Sequence, residues 1–308
     1  MSHATLEPGL VIAGHGRHVL VETPDGRHLI CHPRGKKNQT VVGDRVLWQA
    51  TQDEGTIEKV LERRNLFYRQ DEIRTKSFAA NLDQVLVLIA AEPEFSESQL
   101  ARALIAAEAE RIRPIIALNK SDLQEPFSRA WARMAAYRDM GYTVVPLALK
   151  PKAPDVSATE LADLMPLLQG KTTLILGPSG SGKSTFINRL LPGAQVLTQE
   201  ISSALNSGKH TTTSTSLYWV DAAKTTAVID SPGFQEFGLH HIEAMQLAQL
   251  MPDIKSHSGE CKFYNCSHLH EPGCSVQKAL LPDQPSPISA NRYKIYGDLF
   301  AELSQTRY

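Results

Sequence analysis

Cysteine is scarce. There are four in 308 residues, three of them crowded between positions 261 and 274, so a disulfide-stapled secreted domain is excluded and a metal site in a reducing compartment is favoured. Long hydrophobic runs are missing as well: the longest, Val85 to Ala91, falls far short of the roughly 20 apolar residues that cross a bilayer. Met1 to Pro8 carries neither the basic nor the apolar segment of a secretory leader, which gives the expectation of a soluble, cytoplasmic protein without a membrane partner. Charge of one sign is not in excess either. With 32 basic and 33 acidic residues the net charge is −1, so any nucleic-acid contact has to come from local patches. What remains is an ordinary globular composition, long enough for two or three packed domains.

The densest chemical signal is Gly177-Pro178-Ser179-Gly180-Ser181-Gly182-Lys183-Ser184-Thr185. It follows an apolar run, Thr172 to Leu176, and runs into Thr185 to Leu191, which reads as a helix. This is the strand, G-x-x-x-x-G-K-[ST], helix order of a P-loop rather than a Gly/Ser linker. Glycines let main-chain N–H groups curl around a polyphosphate at a helix N-terminus, Lys183 reaches the β- and γ-phosphates, and Ser184 is placed to ligate Mg²⁺.

Asn119-Lys120-Ser121-Asp122 follows another apolar run, Pro114 to Leu118. Asp122 can accept hydrogen bonds from the N1–H and 2-amino groups of guanine, donors that adenine does not offer, so guanine is favoured. A third element, Asp230-Ser231-Pro232-Gly233, follows Thr226 to Ile229. Asp230 would hold Mg²⁺ and the Gly233 N–H would touch the γ-phosphate. In the ordinary Ras-like order the P-loop comes first and N-K-x-D last; here Asn119–Asp122 precedes the P-loop. A sheet tolerates this because each motif travels with its own strand, so the chain reads as a circularly permuted P-loop GTPase.

These motifs, with Gly208–Thr213 and the cysteine cluster, make the chain resemble the RsgA family, circularly permuted GTPases that act on the small ribosomal subunit. The resemblance implies a multidomain architecture: an N-terminal all-β OB-fold RNA-binding barrel (residues 1–70), a central α/β permuted GTPase domain (71–240) and a mainly α zinc-binding domain (241–308). It also implies GTP/GDP, the 30S subunit and 16S rRNA as partners of a monomer.

The N-terminal region shows short apolar runs around Leu10-Val11-Ile12, Val19-Leu20-Val21, Leu29-Ile30-Cys31, Val41-Val42, Val46-Leu47-Trp48 and Ile57 to Leu61, punctuated by Gly and Asp turns. Five or so short strands predict a small closed barrel, and OB and SH3-like barrels both fit. The resemblance, through Arg34-Gly35-Lys36 and Val42-Gly43-Asp44-Arg45-Val46, implies OB. Arg34, Lys36, Lys37, Arg45, Arg63 and Arg64, with Phe67 and Tyr68 as stacking faces, form a candidate RNA track, although acidic residues interleave with them.

Residues 71–84 read as a polar linker or ordered loop. Beyond it, Val85–Ala90 reads as a strand, Leu100, Ala103, Leu104 and Ala107 mark a core-packed helix, a second helix is expected over 126–140, and Tyr142–Val145 forms another strand. Pro146 to Lys150 stands where a guanine-contacting loop is expected, with Ala148 its candidate backbone contact, and 150–157 rejoins the former ends of the domain. In the Thr-rich switch segment, Thr212 is the candidate Mg²⁺ ligand with Thr211 as alternative. The residue after Gly233 is Phe234, which cannot orient a water, so intrinsic hydrolysis is expected to be slow. The resemblance points to His210 as the catalytic substitute; Gln235 is a weaker candidate.

Cys261, Cys266, His268 and Cys274 give C-x₄-C-x-H-x₅-C, a set suited to one closed, structural Zn²⁺ site. His270 competes as fourth ligand, and the resemblance selects His268. His241–Leu250 reads as a helix joining switch II to this module. Three functions are weighed: a GTPase acting in late 30S maturation, slow alone and faster on the ribosome; an RNA-binding scaffold that senses GTP and GDP; and a P-loop kinase or ATPase, disfavoured by Asn119–Asp122.

Overall fold

The computed structural model describes residues 5–15, 18–35, 40–51, 54–150, 161–192, 215–233, 237–281 and 288–305. Strands β1 (Glu7–His15), β2 (His18–Glu22), β3 (His28–Pro33), β4 (Arg45–Ala50) and β5 (Gly55–Val60) run in the order β1-β2-β3-β5-β4, and β4 returns to pair with β1. Only β3 and β5 are parallel. This closed five-stranded barrel is OB-like. Its interior is Val11, Val19, Val21, Cys31, Trp48 and Ile57, the inward half of each alternating strand.

A hairpin follows: β6 (Leu66–Gln70) pairs antiparallel with β7 (Thr75–Ala80). The expectation of a linker over 71–84 is therefore corrected. Only Phe78, Ala79 and Ala80 of β7 are buried, so the polar residues around the turn mask the strand in sequence. Val42, read above as part of a strand, makes only an isolated bridge to Ala79.

The central layer contains β8 (Gln84–Ala90), α1 (Glu97–Ala109), β9 (Arg113–Asn119), α2 (Gln124–Arg133), α3 (Ala135–Asp139), β10 (Thr143–Pro146), α4 (Met165–Leu168), β11 (Thr172–Leu176), α5 (Lys183–Leu190), β12 (Thr215–Trp219) and β13 (Ala227–Asp230). Their sheet order is β10-β9-β8-β11-β13-β12, parallel except for β12. Val85, Val87 and Ile89 face a core shared with α1, while Leu86 and Leu88 face one shared with α5. Covered on both faces, β8 is buried throughout, which is why it reads as an unbroken apolar run. The helix expected over 126–140 is two, broken at Met134.

β12 also pairs antiparallel with β1, so barrel and central layer share one continuous sheet. The C-terminal part holds a 3₁₀ helix (Ala244–Leu250) within the stretch from His241 read as helical, then α6 (Pro252–Ser258), α7 (Ser275–Lys278) and α8 (Ala290–Leu303). The Ser289 hydroxyl caps α8 by accepting from Arg292 N. Arg292 is buried, donates to Asp253 of α6 at 2.8 and 3.0 Å, and lies over the Tyr137 ring of α3, which pins this region to the central layer. Among the described residues no helix is long and apolar enough to cross a membrane.

Candidate nucleotide site and metal cluster

β9, β11 and β13 end on the same edge of the sheet, and their C-terminal loops carry the three motifs. That edge is where open α/β sheets bind ligands. The P-loop turns with Gly180 at φ +80° and Gly182 at φ +102°, left-handed values natural only to glycine. A Cβ on Gly182 would sit 2.3 Å from Asn119 Nδ2, so no other residue fits there. Ser181 is 2% exposed and its hydroxyl has no hydrogen-bond partner among the described residues.

Asn119, itself buried, ties two loops to its own strand. Its Nδ2 donates to Ser181 O at 2.9 Å, while its Oδ1 accepts from Lys120 N at 2.8 Å and Leu149 N at 3.1 Å. Ser121 N donates to Leu147 O at 2.9 Å, and the Lys120 ammonium donates to Glu92 O. Asp122 is half-buried, and its carboxylate has no partner among the described residues. Ala148, the candidate main-chain contact to guanine, lies in this loop, and the N–H of the next residue, Leu149, bonds Asn119, a contact that no sequence signal marks.

Lys183 Nζ donates to Asp230 Oδ1 at 3.0 Å and to Ser231 O at 2.6 Å. Gly233 lies against the P-loop: a Cβ added to it would sit 3.5 Å from Gly177 O. Ser184 and Thr185 follow on the first turn of α5, Ser184 exposed, and Pro178 and Ser179 complete the loop. Thus Gly177–Thr185, Asn119–Asp122, Asp230 and Gly233 converge on one edge. His210, Thr211, Thr212, Phe234 and Gln235 lie outside the described residues.

In the C-terminal region the ligating atoms of Cys261, Cys266, His268 and Cys274 all lie within 4.8 Å of one another. Cys261 Sγ is 3.4 Å from His268 Nδ1 and 3.8 Å from Cys274 Sγ, and Cys274 Sγ is 3.6 Å from His268 Nδ1. A tetrahedral site with metal–sulfur bonds of about 2.3 Å has sulfur–sulfur edges of about 3.8 Å, so the donor set fits a four-coordinate ion. His270 is exposed. Tyr293 and Tyr296 of α8 donate to the main-chain oxygens of His268 and Ser267, both at 2.7 Å, bracing the loop.

The candidate RNA track fares less uniformly. Phe67 is fully buried against Phe78 and Phe237, which corrects its reading as a stacking face. Arg63 is held by buried Asp44 at 2.7 Å, Arg34 pairs with Glu58 and Arg64 with Asp83, whereas Arg45 is exposed with no ion pair among the described residues. Tyr68 packs on His241, and Lys36 and Lys37 lie outside the described residues.

A family model, RsgA GTPase, matches residues 60–240. The chain belongs to the RsgA GTPase family. It is 72% identical over 304 residues to the small ribosomal subunit biogenesis GTPase RsgA of Variovorax paradoxus (strain S110), covering 98% of this chain and 94% of that protein. Identity to the protein of the same name from Burkholderia pseudomallei (strain 1710b) is 50%, covering 96% and 92%. Among solved structures it is similar to YloQ, described as a circularly permuted GTPase, with a TM-score of 0.70 and 29% identity over 100% of this chain and 99% of that one. YjeQ from Thermotoga maritima superposes with a TM-score of 0.72 and 27% identity over 98% and 100%. As an RsgA-family member the chain is a circularly permuted GTP hydrolase with an OB-like barrel in front and a Cys₃His cluster behind. The Mg²⁺-bound GTP that such a family implies fits the residues present: a glycine cradle, an orphaned Ser181 hydroxyl, the Lys183 ammonium and the Asp230 carboxylate share one edge.

Proposed function

We propose that this RsgA-family chain is a Mg²⁺-dependent GTPase that docks on the 30S ribosomal subunit and acts in its late maturation, turning over slowly alone and faster on the subunit. The observation that carries this is the joining of the N-K-x-D strand to the P-loop through Asn119 and Ser181, with Lys183 and Asp230 beside them. Asp122 selects guanine, Asn119 fixes the loops around it, and the main chain of Gly177–Thr185 with Lys183 binds the phosphates. Gly233 reports on the terminal phosphate. Ser184, Thr212 and Asp230 would hold Mg²⁺, which when bound neutralises charge on the β- and γ-phosphates. His210 is assigned the water-orienting role that Phe234 cannot fill.

Cys261, Cys266, His268 and Cys274 would hold one structural Zn²⁺, supported by the tetrahedral fit of their spacing. The units are taken as residues 1–70, 71–240 and 241–308, supported by closure of the barrel with β5 and by the family match that ends at residue 240. The barrel and zinc module contact 16S rRNA, and the protein works as a cytoplasmic monomer. Measuring GTP turnover with and without purified 30S subunits tests the reading: stimulation is expected. Phe234 in the place of a glutamine favours one alternative, an RNA-bound GTP/GDP sensor with little catalysis, and absence of stimulation would select it.

A further inference from the structure

β12 would be the open edge of the central sheet, and the barrel covers it. Main-chain pairing sets Ala13 opposite Ser216 and Gly14 opposite Thr215, and Ser216 in turn stands opposite Asp230 on β13. At the far end of β12 the Trp219 indole N–H donates to Glu22 Oε1 at 3.0 Å, and Lys224, in the β12–β13 turn, pairs with the same oxygen at 2.9 Å. His28 Nε2 lies 3.1 Å from Glu22 Oε2. Burial pushes the Glu22 carboxyl upward, yet the bonds from Lys224, His28 and Trp219 outweigh it and hold the group below the usual carboxylate range. Lys224 adopts a φ of +55°, which a lysine disfavours, and its ammonium ends on the barrel. Glu22, Trp219 and Lys224 form one wall of a cleft of about 760 Å³ between barrel and sheet.

We propose that the barrel is a built-in brace for β12, that Glu22 is its positioning residue, and that through Ser216 it sets where Asp230 stands for magnesium. Glu22 touches no described residue of the nucleotide site; it acts through β12. The physical reason lies in the different tolerances of the two halves of the site. Mg²⁺ demands near-ideal octahedral geometry with bonds of about 2.0–2.1 Å, so a small displacement of β13 is costly to it. Guanine is read from β9, on the other side of β11, and does not depend on β12. Loosening the brace therefore weakens the magnesium-dependent part of nucleotide binding alone. The inference rests on the nucleotide reading above.

The test uses the full-length protein and two fluorescent probes, GDP and a non-hydrolysable GTP analogue, each titrated in excess EDTA and across a Mg²⁺ series. For Glu22→Ala the Mg²⁺ concentration that gives half-maximal analogue binding should rise about tenfold, a coupling of about 1.4 kcal/mol, with GDP affinity in EDTA unchanged. Glu22→Gln, which keeps an acceptor for Trp219, should fall between that variant and the wild type. Lys224→Gly relaxes the left-handed residue while removing the ion pair, and should move the Mg²⁺ requirement in the same direction. Equal losses in EDTA and in Mg²⁺, or no change in any variant, would overturn the brace. A wild-type chain that binds neither probe would instead overturn the nucleotide reading, and the brace with it.

Discussion

Asn119 and Ser181 stand 62 positions apart in the chain and are joined by a hydrogen bond of 2.9 Å from the Asn119 amide to the Ser181 main-chain oxygen. The bond closes the permuted site, because it links the loop after β9 to the P-loop after β11. Asn119→Ala would leave Ser181 O and Leu149 N unpaired in a buried setting, a loss of about 1–3 kcal/mol. Guanine-nucleotide affinity should drop by roughly 10- to 100-fold, readable by titration with fluorescent GDP. Wild-type affinity in this variant would show that the bond is incidental.

Among the described residues the Asp122 carboxylate has no partner, and it has a defined task. Replacing it by asparagine turns one acceptor into a donor, which suits the 2-oxo group of xanthine and opposes the 2-amino group of guanine. Asp122→Asn should lower GTP affinity by about 100-fold or more and make XTP the better ligand. Competition between the two nucleotides measures this directly, and a variant that still prefers GTP removes Asp122 from the guanine pocket.

The Cys₃His segment is too short to bury a core of its own. One zinc per chain should be released by a strong chelator or by Cys274→Ser, and the helical signal of α6 to α8 should fall with it, because metal binding of about 10 kcal/mol or more is folding energy in such modules. A metal-free protein with undiminished helicity would argue against a structural ion.

Arg292 and Asp253 form a buried pair with side chains 3% and 13% exposed. Removing one partner strands a buried charge, so Arg292→Met should cost about 3–5 kcal/mol, whereas Arg292→Met with Asp253→Leu should recover much of it. Urea midpoints for the single and double variants give the answer; additive losses would mean that the pair is not coupled.

His241 lies half-buried against Tyr68, with ring centroids 4.4 Å apart and neither ring nitrogen hydrogen-bonded among the described residues. Burial, helped by the neighbouring His240, pushes its pKa down to about 4. In the unfolded chain an imidazole binds its proton near pH 6.5. Between those values the unfolded state holds a proton that the folded state does not, so stability is complete above the window and declines as pH falls through it. His241→Phe keeps the ring packing and should flatten that decline by about 1–3 kcal/mol. Parallel acid limbs for the two proteins in urea unfolding at pH 7.5 and pH 5 would clear His241 of the effect.

Much of this molecule is local in origin and legible in one dimension. The P-loop, Asn119–Asp122 and Asp230–Gly233 each consist of a buried strand and its next few residues, so their order alone discloses a permuted sheet. The cysteine spacing is equally local. Pairing is not: β7 hides behind polar turn residues, and β12 carries no motif, so neither the hairpin nor the seam between β12 and β1 could be read from composition or period. The tertiary structure alone decided that Phe67 is core and that the Leu149 N–H bonds Asn119, and it set His268 Nδ1 against the sulfurs, as the resemblance implied, with His270 exposed. Each of these depends on which distant surface the chain folds against, and a pattern of neighbours along the chain holds no record of that.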